Sequence, residues 1–363
     1  MNHFSKFNLS AIQAKEAAQR IAFGPVMFQA AQAMRRTGLL MTVRNARNAG
    51  ITLEDAAEQT GIPVYGARVL MEAGLGMEVF TVDDNGLYRI TTTGYFLLFD
   101  DLTIANLNFV DDVCYDGLAF LEESIRNGKP EGLRVFGKWD TIYEGLSRLP
   151  EDVQKSWFAF DHHYSDGSFP LVIKIVFELG VQKMIDIGTN TGKWALACLA
   201  YHPDVHITMM DLPGQLQIAE RRVREKGFAD RTTAIPVNIL DENAVIPKGH
   251  DTIWMSQFLD CFSEQEITSI VRRCYDALDE NGKLLILENF WDVQEHYVAA
   301  LTIQMTSLYF TALANGNSQM YDSRVFIKAV EAGGFYVEKQ INHIGEAGHT
   351  LLVCRKKPIP PTH

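Results

Sequence analysis

The sequence predicts a two-part α/β protein: a mainly helical N-terminal domain with a winged-helix pattern, then a doubly wound parallel sheet. Three observations predict it. Met184, Ile185 and Ile187 form an apolar run that breaks at once into Gly188-Thr189-Asn190-Thr191-Gly192, and a helical stretch follows from Trp194 to Ala200. A second apolar run, Val205 to Met210, ends in Asp211-Leu212-Pro213. From residue 184 onward strands and helices alternate, the pattern of a parallel sheet covered by helices. At 363 residues the chain has room for two domains.

In order along the chain, residues 11–49 read as helices interrupted at Gly24-Pro25. Thr52 is a helix cap with Asp55 three residues on, and Gly61-Ile62-Pro63 ends that helix. Val64 to Leu75 reads as a second helix. Val79–Val82 and Leu87–Ile90 flank Asp83-Asp84-Asn85-Gly86, and Asn-Gly between apolar runs predicts a hairpin with a type I′ turn. Two short helices and a hairpin make the winged-helix pattern. Duplex DNA binding is its tempting reading, with the α/β part as a ligand sensor. The second helix offers only Arg68 as a basic group, so a dimerisation and lid module is expected instead. Residues 100–170 read as helical, with turns at Asn127-Gly128-Lys129-Pro130 and Leu149-Pro150. Strands follow at Met184–Ile187, Thr208–Met210, Thr233–Pro236, Thr252–Ser256 and Lys283–Glu288. Gly334–Val337 and His349–Cys354 would close the sheet as an antiparallel hairpin. The resulting boundaries are 1–100 for the winged-helix domain, 101–170 for a helical connector lining the active site, and 171–356 for the cofactor domain. Residues 357–363 are expected to be a disordered tail.

Composition narrows the function. A net charge of −12 argues against nucleic acid as the main partner, because phosphate neutralisation needs a basic face. No apolar run reads as long enough to span a membrane, and the first residues hold no apolar signal core. The five cysteines (114, 198, 261, 274 and 354) are scattered without disulfide or metal spacing and read as reduced cytoplasmic thiols.

The chemistry sits at the glycine turn. A strand, a glycine turn and a helix build a ligand crevice at the carboxyl end of an open α/β sheet. Gly188 and Gly192 remove Cβ atoms where the chain turns and a ligand must approach. Asp186 lies inside the strand end, where a carboxylate calls for a cationic ligand group or backbone donors. Asp211 falls about 20 residues beyond the turn, the spacing at which an acid accepts hydrogen bonds from ribose hydroxyls. The spacing GxGxxG is absent, so an adenosyl ligand without phosphates fits better than a dinucleotide.

Taken together, Ile51–Ala57, Gly86–Thr91, Gly94, Asp186–Gly192, Asp211-Leu212-Pro213, Phe258–Ser263, Asn281–Glu288 and Gly333-Gly334-Phe335 resemble the S-adenosylmethionine-dependent O-methyltransferases that act on small aromatic molecules, of the caffeate, isoflavone and hydroxyindole type. The resemblance runs from about residue 20 to residue 356. It implies a Rossmann-like class I methyltransferase sheet, S-adenosylmethionine as cofactor and S-adenosylhomocysteine as product. It also implies a homodimer whose N-terminal domain reaches into the partner's active site. By the same resemblance Gly188 and Gly192 approach the methionine part of the cofactor, Thr189 and Asn190 belong to the cofactor site, and Asp186 helps hold the amino group. Asp211 binds the ribose and Leu212 packs on adenine. Asn238 and Ile239 stand where an acid and an apolar residue flank adenine, with Asn238 replacing the usual Asp. Ser256 occupies a cofactor-contact position. Plain core packing explains Leu212 and Ile239 equally well.

The departure from the family is at the base. The family's His lies in a Leu-His-Asp-Trp segment; here the segment is Leu259-Asp260-Cys261-Phe262, so Asp260 stands in its place. A phenol with a pKa of about 10 must lose its proton, and an ordinary Asp near about 4 is a poor base unless burial raises it. Glu288 matches the first of two acids that orient the His, and Gln319 stands for the second. Three readings follow. Asp260 is the base, or orients an acidic substrate hydroxyl such as a catechol or an enol; or His162 or His163, in Phe160–Asp166, serves instead; or the reaction is carbon methylation or non-methylating chemistry of the hydroxylase or decarboxylase kind. A metal site at Asp161, His162 and His163 is not expected, because neighbours on a helix do not share a face. Met305, Tyr309 and Phe310, with Trp157 and Phe158, would line a pocket for a flat, mostly apolar acceptor. The leading expectation is O-methylation of a small phenol.

Overall fold

The structure is a computed structural model that describes residues 3–5 and 7–358; the side chains of His163, Ser165 and Asp166 lie outside the described residues, as does most of the predicted tail. The chain forms two compact units, one from Phe4 to Val113 and one from Cys114 onward.

The first unit opens with α1 (Ala11–Ala22), started by a capping box in which Ser10 and Gln13 satisfy each other's backbone N–H groups. Helices α2 (Gly24–Arg36) and α3 (Leu39–Asn45) follow, then α4 (Leu53–Thr60), whose first turn is capped by Thr52 accepting from the Asp55 N–H at 3.1 Å. After α5 (Val64–Gly76) come β1 (Phe80–Val82) and β2 (Tyr88–Ile90), antiparallel, and then α6 (Thr92–Phe99) and α7 (Asp101–Phe109). Met34, Leu39, Leu40, Val43, Ile51, Met71 and Phe80 form the core.

Two expectations are corrected here. The hairpin turn is not type I′. Of its central residues only Gly86 has positive φ (74°), and the Asp83 carboxylate accepts from the Asn85 and Leu87 N–H groups. A type I′ turn needs two left-handed residues. The Asp83 side chain stabilises right-handed backbone at Asn85 instead, leaving one left-handed residue in a longer loop. The unit also runs past residue 100. Gln32 donates to the Leu107 carbonyl at 3.2 Å and Arg35 to the Asn108 side chain at 3.3 Å, tying α7 to α2.

The second unit begins with α8 (Leu121–Asn127), α9 (Ile142–Gly145), α10 (Glu151–Asp166) and α11 (Phe169–Glu178). The sheet then alternates with helices: β3 (Lys183–Ile187), α12 (Lys193–Tyr201), β4 (His206–Asp211), α13 (Pro213–Glu225), β5 (Thr232–Pro236), β6 (Thr252–Ser256), α14 (Glu264–Ala277) and β7 (Lys283–Glu288). Helices α15 (Tyr297–Tyr309) and α16 (Ser323–Ala332) precede β8 (Phe335–Ile344) and β9 (His349–Lys356). The strand order is β5-β4-β3-β6-β7-β9-β8, with β8 and β9 antiparallel to their neighbours. The chain moves outward from β3 one way and from β6 the other. The switch point therefore lies between β3 and β6, where a crevice opens at the carboxyl ends of the strands.

Alternation along each strand buries both faces. Ile185, Ile187, Ile253, Met255, Leu284 and Ile286 join the core under α14 and α16. Met184, Ile207, Met209, Trp254 and Leu285 join the core under α11 to α13. At its centre Trp194 and Trp254 stack with ring centroids 4.1 Å apart. Trp254 is fully buried, so Trp254→Ala should cost about 3–5 kcal/mol, read as a lower midpoint of chemical unfolding. A loss under about 1 kcal/mol would show that the stack contributes little.

One further correction concerns membranes. Tyr297–Ala314 forms an 18-residue helix long and apolar enough to cross one by length and composition, where the sequence reading found no such run. Scattered Thr, Gln and Ser residues hide this apolar content in the sequence. Several of its side chains, Ala300, Ile303, Tyr309, Phe310 and Leu313 among them, are buried within the unit.

Candidate active site

The turn after β3 needs left-handed backbone at three positions: Gly188 (φ 78°), Asn190 (φ 48°) and Gly192 (φ 77°). Glycine at the first and last also has a packing reason. A Cβ on Gly188 would lie 2.3 Å from the Phe258 ring, and one on Gly192 would lie 3.1 Å from Ala219 of α13. The sequence reading assigns both glycines to ligand approach; the structure adds that each is pressed by protein. Asp186, almost fully buried, accepts from the Thr189 hydroxyl at 2.7 Å. Burial pushes its carboxyl up to about 7, against the pull of the Thr189 hydrogen bond and with the Asp211 charge adding to the rise.

Asp211 closes the turn. One carboxylate oxygen accepts from the Asn190 N–H at 2.7 Å and the other from the Leu212 N–H at 2.6 Å. Burial raises its pKa, and these two backbone donors oppose the rise. Each oxygen keeps a second lone pair for a ligand hydroxyl. Leu212 is half-buried. Asn238 is exposed and its side chain accepts from the Leu240 N–H at 3.1 Å, while Ile239 is packed into the sheet core at 6% exposure. For Ile239, core packing therefore accounts for the residue without any ligand.

At the end of β6 the hydroxyl of Ser256 and the side-chain carbonyl of Gln257 are buried with no partner among the described residues, and Gln257 holds strained backbone at φ 46°. Buried polar atoms left unpaired beside a glycine turn that carries the buried Asp186 carboxyl fit a ligand carrying an amino group and hydroxyls. Sequence reasoning did not find Gln257, since nothing in the motif signals a left-handed residue there.

The turn Leu259–Cys261 carries the candidate base. Glu288, at the end of β7, fixes it from below: its Oε1 accepts from the Phe258 N–H at 3.1 Å and the Leu259 N–H at 2.9 Å. Its Oε2 is buried and unpaired among the described residues. Asp260 is 7% exposed. Burial raises the Asp260 carboxyl, with hydrogen bonds from Cys261 opposing. Burial and then the Asp260 charge raise Glu288 well above the usual range, with the backbone donors opposing. Two buried carboxyls this strongly coupled do not both ionise readily, so the pair retains a proton that isolated acids would lose. Gln319, which the sequence offered as the second orienting group, is exposed. Two side chains link to the Asp260 carboxyl instead: the Tyr143 hydroxyl donates to Cys261 Sγ at 3.1 Å, and that thiol donates to Asp260 Oδ1 at 3.4 Å.

Helix α10 meets both halves of the site. Asn190 donates to Asp161 at 3.2 Å, and the Trp157 indole donates to the Tyr309 hydroxyl at 2.7 Å. His162 lies 3.8 Å from Asp161 and stacks on Phe158 with centroids 6.0 Å apart. The side chain of His163 lies outside the described residues. Tyr309 and Phe310 are buried, whereas Met305 is 53% exposed within this unit and so does not share their environment.

Comparison with known proteins bears on this arrangement. A family model described as an O-methyltransferase domain matches residues 120–335, more than half of the chain, and one described as a Dimerisation2-like domain matches residues 15–87. The chain is similar to an L-tyrosine C(3)-methyltransferase of Streptomyces lavendulae, 24% identical over 93% of this chain and 91% of that protein. It is also similar to a bacteriochlorophyllide d C-20 methyltransferase of Chlorobaculum tepidum, 26% identical over 71% of this chain and 77% of that protein. Among solved structures, the apo S-adenosylmethionine-dependent methyltransferase SibL shares the fold with a TM-score of 0.71 at 23% identity, over 94% of this chain and 99% of that one.

Proposed function

The chain belongs to the O-methyltransferase-domain family of S-adenosylmethionine-dependent methyltransferases, and from that premise we propose that it methylates a small phenolic acceptor at a ring carbon beside the hydroxyl. The observation that carries the choice of carbon is the buried Asp260 carboxyl, set beside the buried Glu288 and standing at the position where the resemblance places a histidine. Oxygen, the leading expectation from sequence, is the second reading, favoured by the family's own description. The two curated relatives described above bear names for carbon methylation, which supports the first.

The cofactor, when bound, supplies an electrophilic methyl group on a sulfonium. The protein's residues do the rest. Asp186 and Thr189 hold the amino group, Asp211 the ribose, and Leu212 the adenine face. Trp157, Phe158, Tyr309 and Phe310 set the acceptor ring and exclude water, which lets proximity act. Transfer to a ring carbon would form one carbon–carbon bond at the expense of the cofactor's carbon–sulfur bond and would leave the ring one proton to lose in restoring aromaticity. Asp260 accepts that proton. A ring proton released in this way is far more acidic than a phenol, so a carboxylate is an adequate base where O-methylation would favour His. The Dimerisation2-like match supports a homodimer, and α1, which buries none of its residues and exposes Ile12 and Ile21, offers apolar surface for it. Sedimentation should give twice the chain mass; a monomer at micromolar concentration would contradict this.

Binding should depend on pH through Asp186. In the free protein burial pushes its carboxyl up to about 7. Contact with the cofactor's ammonium favours the charged form, so affinity is full above that value and is lost as pH falls through it. One unit below, S-adenosylmethionine should bind about tenfold more weakly, with proton release seen by calorimetry in buffers of different ionisation enthalpy. Flat affinity between pH 6 and 8 would remove Asp186 from this role.

Activity is tested with methyl-13C S-adenosylmethionine and a panel of para-substituted phenols that includes L-tyrosine. A label in the aryl-methyl region of the carbon spectrum supports the proposal. A methoxy label selects the second reading, and cofactor binding without any transfer to phenols counts against both.

A further inference from the structure

The turn that carries Asp260 is held from several sides. Glu288 takes two backbone N–H groups beneath it, Asn315 donates to the Cys261 carbonyl at 2.6 Å, and the Tyr321 hydroxyl donates to the Phe262 carbonyl at 2.6 Å. These contacts fix the backbone; the Asp260 carboxyl is then directed by the Cys261 thiol together with the backbone N–H groups of Cys261 and of Asp260 itself. Its side-chain donor is the Cys261 thiol, which is in turn the acceptor for the Tyr143 hydroxyl. The order of donation is consistent along the chain: phenol O–H to sulfur, thiol S–H to carboxylate. Burial, first among the causes in each case, keeps both protons in place by raising the phenol and the thiol well above their usual values.

We propose that Tyr143 and Cys261 form a relay of hydrogen bonds that aims the Asp260 carboxyl at the acceptor, making both of them positioning residues for methyl transfer. The proposal rests on Asp260 being the proton acceptor. Tyr143 is delivered by α9, a single turn anchored by the fully buried Ile142 and by Gly145, where an added Cβ would lie 2.3 Å from Trp139. Such anchoring is what a donor needs if it is to order a carboxyl rather than follow it.

The thiol donor lowers the Asp260 pKa, so its removal raises it. Asp260 must be ionised to accept a proton, so the acid limb of the kcat profile moves to higher pH. Cys261→Ala should therefore shift that limb upward and lower kcat about tenfold near neutrality, with KM for S-adenosylmethionine unchanged. Tyr143→Phe should do the same more weakly. Cys261→Ser keeps a donor and should stay within about threefold of the parent. A purely structural role would lower kcat at every pH without moving the limb and would not distinguish Ser from Ala.

A second readout needs no turnover. The S–H stretching band of Cys261, assigned by difference against Cys261→Ser, should move in both Tyr143→Phe and Asp260→Asn. A limb that stays in place with a band that stays in place overturns the relay. A band that moves in both variants, while the parent protein methylates no phenol, upholds the hydrogen-bond relay and overturns the proposed reaction.

Discussion

Asp260→Asn is expected to lower kcat by about 10²- to 10⁴-fold while leaving S-adenosylmethionine affinity within about twofold. The substitution is nearly isosteric and keeps an acceptor for the Cys261 thiol, so the turn should stay in place. It removes the one group at this position able to take a proton. It also removes the charge that raises Glu288, so Glu288 should ionise more readily in the variant. Stability should therefore hold or rise: a like-charge conflict is relieved in a site where both groups are buried. Turnover within about threefold of the parent would exclude Asp260 as the proton acceptor and return the role to α10, where His162 stacks on Phe158.

Asp211→Ala should weaken S-adenosylmethionine binding by about 10²- to 10⁴-fold. Two hydrogen bonds from ribose hydroxyls to a half-buried carboxylate are each worth about 1.5–3 kcal/mol. The same carboxylate holds the N–H groups of Asn190 and Leu212, so its loss also loosens the glycine turn. Asp211→Asn keeps one acceptor oxygen and should fall between. Titration calorimetry reads both, and a dissociation constant within about threefold of the parent in the Ala variant would mean that the ribose is held elsewhere.

The parts that were legible in the sequence are those in which period and turn chemistry agree. Strands β3, β4, β6 and β7 are mainly apolar runs ended by glycine, acid or polar residues, and each core face follows from alternation. Thr52 capping Asp55 was legible for the same reason. The hairpin at Asn85-Gly86 was misjudged because the Asp83 side chain, two residues before Asn85, decided the backbone. The end of the first unit was misjudged because Gln32 and Arg35 reach α7 from 75 and 73 residues earlier in the chain. At the site, Asp186, Asp211, Asp260 and Glu288 stand in motifs. Tyr143 stands in none: it meets Cys261 across 118 residues, through an irregular connector whose local sequence says nothing of its target.

The most direct test of the account follows the hydrogen that the acceptor ring must lose. A para-substituted phenol deuterated at both positions beside the hydroxyl is incubated with the protein and S-adenosylmethionine, and deuterium in the water is counted against S-adenosylhomocysteine formed. Carbon methylation with Asp260 as proton acceptor predicts one ring deuteron lost per S-adenosylhomocysteine, with both falling together in Asp260→Asn. S-adenosylhomocysteine formed while both ring deuterons remain in the product would contradict it.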